Sequence, residues 1–476
     1  MRPFKTTFIL FVLFIFILSI PSCELLAQQP ANSANPSGGS GNAAAAQLQQ
    51  LIQTGRAKNV IFLLGDGMGD SEITAARNYY VGAAGRLAMD TLPFTGAVTT
   101  YSLQEKDPSK PDYVTDSAAG GTAWATGLKT SNGRISTTAG TDKTAKTILE
   151  IAKEQGYRTG NISTAEITDA TPAVLGSHVN SRGCQGPEDM KNCPQYKKNA
   201  TGPGSNPLGS IAEQLIDHKI DVLMGGGKQR FDQTIDGGQF QGKRVLAAAE
   251  DLGYKVVTSA QELTQVSAGK QERLLGLFNA GNMSMEWNGD PAIPFPGSGP
   301  QKCNEFVRPS NEPALLSMML KAIQLLENND PKAPGFFLQV EGAQIDKRAH
   351  TAQPCEQIGE TVAFDNTIKL AIDYANAHPG TLVIVTADHG HSTQIVPPQA
   401  QDSHASGLMS TLITSDKANM TLHYGTNTVC CSATHTMEHA GTQVRIAAQG
   451  PQAFGVLGVH DMSEIFHLMA RALGAE

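Results

Sequence analysis

No run of lysine or arginine in this chain exceeds a pair, and the formal net charge is −8. A surface without basic tracts gives polynucleotides nothing to hold, so nucleic acid is excluded as a partner. The seven cysteines include no C-x-x-C pair, which removes the usual framework of a structural zinc site. The apolar run at residues 8–20 is shorter than a bilayer-spanning helix needs. No internal repeat is evident. On an acidic surface an anionic substrate must be drawn by local charge, such as metal ions, rather than by the whole field.

What is present points to export. Arg2 and Lys5 precede the apolar run and Pro21-Ser22-Cys23 follows it, so residues 1–23 read as a signal peptide. Ile20-Pro21-Ser22-Cys23 resembles the bacterial lipoprotein signal, which would make Cys23 a lipidated first residue and a membrane tether; ordinary cleavage near Ala27 is the alternative. On either reading the mature protein is exported, to the periplasm or cell envelope. Residues 24–55, rich in Ala, Asn, Ser, Gly and Pro, read as a flexible linker. Setting Cys23 aside leaves an even number of cysteines in a compartment where disulfides persist. Cys184 with Cys193 would close a short loop and Cys303 with Cys355 a longer one. The adjacent Cys430 and Cys431 can bridge each other, bond elsewhere or stay free.

The folded part is read as residues 56–476. The 476 residues, 40% of them hydrophobic and 48 of them glycine, allow up to about three average domains or one large α/β domain rich in strand-to-helix turns. Apolar runs at 59–65, 159–163, 221–224, 255–258, 335–340, 381–386 and 444–448 predict buried strands. Helical patterns at 146–155, 207–218, 247–252, 312–328 and 359–377 lie between many of them. This alternation predicts an α/β fold: a large central, mostly parallel sheet with helices on both faces, forming a single domain. Residues of about 397–434 lack the alternation and read as an insertion.

Asp116-Ser117 opens a run of small residues that ends at Gly127, as a short helix would. A serine in the first turn faces unpaired backbone N–H groups and the positive end of the helix dipole, which favours an oxyanion or phosphate. Asp and Ser are also ordinary helix starters, and Asp70-Ser71 is read as another such cap. In open α/β sheets ligands bind beyond the carboxyl ends of the strands. There the sequence puts Asp66, Asp169 with Thr171, Glu341 with Asp346 and His350, and Asp388-His389; His439 stands just before the final strand. One strand-end aspartate is an ordinary cap. Carboxylates and imidazoles gathered from distant parts of the chain are the mixture that zinc and magnesium sites need.

Seven motifs, in order, carry a resemblance. They are Gly-Asp-Gly-Met-Gly-Asp-Ser (65–71), Thr-Asp-Ser-Ala-Ala (115–119), Asp-Ala-Thr-Pro-Ala (169–173), His-Val-x-Ser-Arg (178–182), Val-Glu-Gly-Ala-x-Ile-Asp-Lys (340–347), Thr-Ala-Asp-His (386–389) and Glu-His-x-Gly (438–441). From Asn59 nearly to the C-terminus the chain resembles the bacterial alkaline phosphatases of the type with two zinc ions and one magnesium ion. The resemblance implies an alkaline-phosphatase-like fold, a homodimer, and hydrolysis of phosphate monoesters through a phosphoserine on Ser117. It implies that Asp346, His350 and His439 hold the first zinc, and Asp66, Asp388 and His389 the second, beside Ser117 Oγ. Magnesium would be held by Asp66, Asp169, Thr171 and Glu341. Arg182 would clamp two phosphate oxygens, oriented by Asp116, with Lys347 reaching phosphate through water. Cys184–Cys193 and Cys303–Cys355 match the family's two disulfides, whereas the linker and Cys430-Cys431 find no counterpart. A serine hydroxyl is a poor nucleophile at neutral pH, and zinc coordination is one way to activate it.

Two alternatives stay open: a phosphodiesterase of the same superfamily, and a non-catalytic protein that binds phosphate or metal. A sulfatase is set aside, because Ser117-Ala-Ala-Gly-Gly lacks the Pro and Arg that would follow a modifiable residue. His391 reads either as a partner that orients Asp346 or as a surface residue. His435 reads as an incidental neighbour of His439, and His178, Trp124, Met318 and Met319 as packing.

Overall fold

The computed structural model describes residue 49 and residues 51–267, 273–328, 332–397, 407–427, 430–431 and 436–476. The signal peptide with Cys23, most of the linker, part of the 397–434 segment and His435 lie outside the described residues.

The core is a ten-stranded sheet built on β1 (Asn59–Gly65), whose seven residues are all buried. In chain order its other strands are β2 (Phe94–Thr99), β3 (Arg158–Glu166), β4 (Val222–Gly226), β5 (Tyr254–Val257), β6 (Arg273–Leu277), β8 (Phe336–Gly342), β9 (Thr381–Thr386), β13 (Val444–Gln449) and β14 (Gly458–Asp461). Across the sheet the order is β14-β2-β13-β9-β1-β8-β3-β4-β6-β5. β1 pairs in parallel with β8 and β9, and β13 is antiparallel to both of its neighbours. The mostly parallel α/β sheet expected from the sequence is therefore the fold. A continuous apolar run marks a strand covered on both faces, as in β1.

Three strands of this sheet escaped the sequence reading: β2, β6 and β14. β2 buries only Phe94 and Val98 of its six residues, and β14 is half exposed, so neither has a continuous apolar run. A second, four-stranded sheet comprises β7 (Ser298–Gln301), β10 (Thr393–Val396), β11 (Leu408–Ile413) and β12 (Asn419–Tyr424), in the order β7-β11-β12-β10. The described residues between β9 and β13 thus include three strands, and they recruit a fourth from about a hundred residues earlier. At the other end of the chain the last linker residues already lie on the body, Gln53 bridging Pro451.

The predicted helical patterns are helices with shifted ends, whereas Ala260–Gln265, Gln344–His350 and Glu464–Leu473 escaped the sequence reading. Pro354–Ala377 begins earlier than expected, with proline in its first turn, where the missing N–H costs nothing. Asp70 and Ser71 open the helix Asp70–Tyr80, but Gly69 is its N-cap and no side chain caps it. Trp124 is fully buried against Phe62, ring centroids 4.7 Å apart, and Met318 and Met319 are core residues, as read.

One buried acid in this frame gives a stability prediction. Glu360, on the long helix, accepts a hydrogen bond from Glu286 N at 2.8 Å. Burial, followed by the Glu286 carboxylate, raises it to about 8. Its folded-state value lies above the unfolded one, so its contribution is fully present below the usual carboxylate range and is lost as pH rises through about 8. Glu360→Gln, which keeps the acceptor and removes the charge, is expected to stabilise the chain above pH 8 by on the order of 2 kcal/mol and to change little near pH 4. Thermal melts of both proteins across that range check it; a gain that grows toward acid would contradict it.

Candidate metal and phosphate centre

The fold brings the strand-end residues to one edge. Asp66 follows β1, Asp169 follows β3 and Asp388-His389 follow β9. Glu341 is not beyond its strand as expected but is the penultimate residue of β8. His439 precedes β13, and because β13 runs antiparallel its start lies at the carboxyl ends of its neighbours.

Ser117 is the first residue of the helix Ser117–Thr126, and Asp116 is the N-cap. Asp116 Oδ1 accepts from Ala119 N at 2.9 Å, while Oδ2 accepts from Gly133 N at 3.0 Å and Arg182 Nη1 at 3.1 Å. One residue therefore caps the helix and orients the guanidinium, and the Ser117 hydroxyl is not needed for capping. Gly127 closes the helix with φ 76°, a left-handed C-terminal position that glycine occupies without strain. Within the helix a Cβ on Gly120 would stand 2.9 Å from Asp388 O, so only glycine lets the helix approach this edge so closely.

Ser117 Oγ donates toward Asp66 Oδ1 at 3.3 Å and lies 3.2 Å from His389 Nε2. Asp66, Asp388 and His389 form a fully buried group able to hold a metal ion. Burial and the nearby Asp66 raise the Asp388 carboxyl to about 7. Burial opposes charge on His389, yet Asp388 and Asp66 carry it up to about 10. These groups share protons that a divalent cation would displace.

A second group gathers Asp346, His350, His391 and His439. Asp346 Oδ1 lies 3.2–3.3 Å from the Nε2 atoms of all three rings, yet none of those contacts has hydrogen-bond geometry. His350 Nδ1 faces Met437 O at 2.5 Å and His439 Nδ1 faces Thr115 O at 3.0 Å. A carbonyl only accepts, so each of these Nδ1 atoms carries a proton, and in the neutral ring each Nε2 presents a lone pair. The two Nε2 atoms stand 3.1 Å apart, turned toward a carboxylate oxygen. Lone pairs converging in this way fit a cation between them. His391 differs: its Nδ1 accepts from Ser392 N at 2.8 Å, which leaves the proton on Nε2, pointing at Asp346. It is fully buried and, through burial, held down at about 3, so it is a neutral donor. Of the two readings for His391, the structure supports the partner that orients Asp346.

The remaining acids are arranged otherwise. Asp169 Oδ1 accepts from Arg182 Nη2 at 3.0 Å and from Ala170 N at 2.8 Å, and Oδ2 accepts from Lys347 Nζ at 2.6 Å. Its oxygens are thus taken by two cations and a backbone N–H. Glu341 bonds the Ser163 hydroxyl, and burial followed by the charge on Asp66 pushes its carboxyl well up. Thr171 Oγ1 is buried with no hydrogen-bond partner. Neither Asp169 nor Glu341 belongs to a metal-capable group of acids, histidines or cysteines among the described residues.

Arg182 and Lys347 face a cleft of about 430 Å³ together with Ser117, His350 and His439. Asn132 lines it as well and accepts from Asp116 N at 3.0 Å. Sequence reading missed Asn132, since nothing marks a lone loop asparagine. Disulfides join Cys184–Cys193, Cys303–Cys355 and Cys430–Cys431, so the adjacent pair, left open in the sequence, is bridged to itself.

A family model described as alkaline phosphatase matches residues 57–436. The chain is 48% identical over 425 residues to the streptomycin-6-phosphate phosphatase of Streptomyces griseus, covering 88% of this chain and 91% of that one. It is 47% identical over 442 residues to the alkaline phosphatase of Escherichia coli (strain K12), covering 90% and 88%. Among solved structures, an alkaline phosphatase from the Antarctic bacterium TAB5 aligns with TM-score 0.64 at 23% identity, over 88% of this chain and 99% of that one. At that identity the likeness speaks for the fold alone.

Proposed function

This chain belongs to the alkaline phosphatase family, and from that premise we propose that it hydrolyses phosphate monoesters through a phosphoserine on Ser117, with two zinc ions and one magnesium ion. The observation that carries the reading is the buried Ser117 Oγ at a helix start, within 3.3 Å of both Asp66 and His389. Asp346, His350 and His439 would hold one zinc, Asp66, Asp388 and His389 the other, and Asp66, Thr171 and Glu341 magnesium. Asp169, which the family resemblance also assigns to magnesium, is engaged by Arg182 and Lys347 and ties the phosphate-binding cations to this set. When bound, these ions would supply Lewis-acid charge that favours an ionised hydroxyl and offsets the charge of the phosphate.

Arg182, oriented by Asp116 and Asp169, offers its guanidinium edge to two phosphoryl oxygens, a match that a lysine cannot reproduce. Lys347 adds positive charge to the same cleft. Ser117 Oγ attacks phosphorus in line; the bond to the ester oxygen breaks and the alcohol leaves with a proton. Water then attacks the phosphoserine, releasing inorganic phosphate and restoring the hydroxyl. The backbone N–H groups of the first helical turn face the anion throughout. On this reading residues 56–476 are one catalytic domain that works as a homodimer, as the family resemblance implies. It is exported through residues 1–23, with Cys23 as a tether, and three disulfides suit an oxidising compartment.

Parallel assays on a chromogenic monoester and the matching diester test the substrate class. The monoester is expected to show at least about 100-fold higher kcat/KM. Equal rates, or a preference for the diester, would contradict the proposal.

A further inference from the structure

Away from the cleft, three elements bring Glu150, His178 and His218 together. Glu150 lies on the helix Ile148–Glu154, and His218 is the C-cap of Ile211–Asp217. His178 stands in the segment that leads to Arg182. Glu150 Oε1 is 3.1 Å from His178 Nε2 and 2.8 Å from His218 Nε2. Its other oxygen accepts from Thr147 N at 2.8 Å in a capping box, which fixes the carboxylate and turns Oε1 toward the rings.

The protons decide what this arrangement is for. His178 Nδ1 lies 3.0 Å from Ser136 O, and His218 Nδ1 lies 2.9 Å from Gln214 O. Both acceptors are carbonyls, so both Nδ1 atoms carry hydrogen. With both rings neutral, two Nε2 lone pairs would face one carboxylate oxygen, which repels them; charging one ring, which burial opposes but Glu150 favours at His218, still leaves the other lone pair on that oxygen. Charging both rings would set like charges on centroids 6.0 Å apart, sharing that single oxygen. A divalent cation between the three atoms removes both conflicts. Two imidazole nitrogens and a carboxylate oxygen are a zinc donor set, and Nδ1–H bonds to backbone carbonyls are the usual support for such ligands. The three donor atoms lie within 4.8 Å of one another. Donors on a tetrahedral zinc stand roughly 3.3 Å apart, so the two Oε1–Nε2 distances need to grow by only a few tenths of an ångström. A cavity of about 470 Å³ adjoins the group and leaves room for a water as fourth ligand.

We propose that Glu150 Oε1, His178 Nε2 and His218 Nε2 bind a zinc ion, at a site separate from the catalytic cleft. The ion cross-links three elements and braces the segment that carries Arg182 four residues beyond His178. The proposal does not depend on the reaction assigned to the cleft. Anomalous diffraction from wild-type crystals grown with zinc in slight excess, collected on both sides of the zinc edge, is the test. A zinc peak bonded to all three donors is expected; crystals with no peak there overturn the proposal, whatever the cleft contains. In solution, His218→Ala is expected to bind one zinc fewer per chain than wild type by elemental analysis and to keep its monoester turnover. An unchanged zinc count would also overturn it.

Discussion

Ser117→Ala is expected to lower monoester turnover by at least about 10⁴-fold and to abolish the burst of alcohol release. It should leave the metal content of the protein nearly unchanged. The expectation follows from the position of the hydroxyl. Ser117 Oγ makes no capping bond, because Asp116 caps the helix, so alanine removes the nucleophile without loosening the helix start. Ala118 and Ala119 show that the first turn already accommodates methyl groups in a buried setting. The groups that would hold metal keep their own contacts: His389 Nδ1 remains on Gly390 O, and Gly67 N still donates to Asp388 Oδ1 at 3.1 Å. Rapid-quench kinetics beside elemental analysis separate the two effects. A variant that retained the burst would move the covalent step to another residue.

Asp346→Asn should have the second-largest effect: loss of about one zinc per chain and a drop in kcat/KM of at least about 100-fold. Asp346 Oδ1 is the point on which three imidazoles converge, and two of them present lone pairs. The carboxylate charge is what makes that convergence tolerable when a cation joins it. Against burial, His350, His391 and His439 hold the Asp346 carboxyl well below its usual range, so it is ionised throughout the working pH. An amide of the same shape keeps the packing and the 3.2 Å approach of His391 Nε2 but removes the charge. Zinc content and kcat/KM measured on the same preparation check this. Unchanged zinc and activity would mean that Asp346 is merely structural.

How far the sequence foretold these features depended on distance along the chain. β1 was legible because a seven-residue apolar run ends in a glycine-rich turn, both of them local signals. β6 was not: it slots between β4 and β5 in the sheet although it follows both in the chain, and no local pattern reports that order. The second sheet is similarly non-local, since β7 joins a hairpin more than a hundred residues later. At the site, the strand-end rule and the motif spacing put Asp66, Asp388 and His389 at one edge. What they could not give was the proton on His391, which is set by the N–H of Ser392. Nor could they show Asp169 bound between Arg182 and Lys347, the latter 178 positions away. His178 was read as packing for the same reason: its partners Glu150 and His218 meet it only in three dimensions.

The central claim is that cations held by scattered acids and imidazoles make Ser117 an attacking group. The direct measurement is turnover of a chromogenic phosphate monoester by protein stripped with a chelator, before and after zinc and magnesium are returned. The stripped chain should be inactive and should regain its rate when the ions are restored. Full activity in the stripped chain would contradict the account.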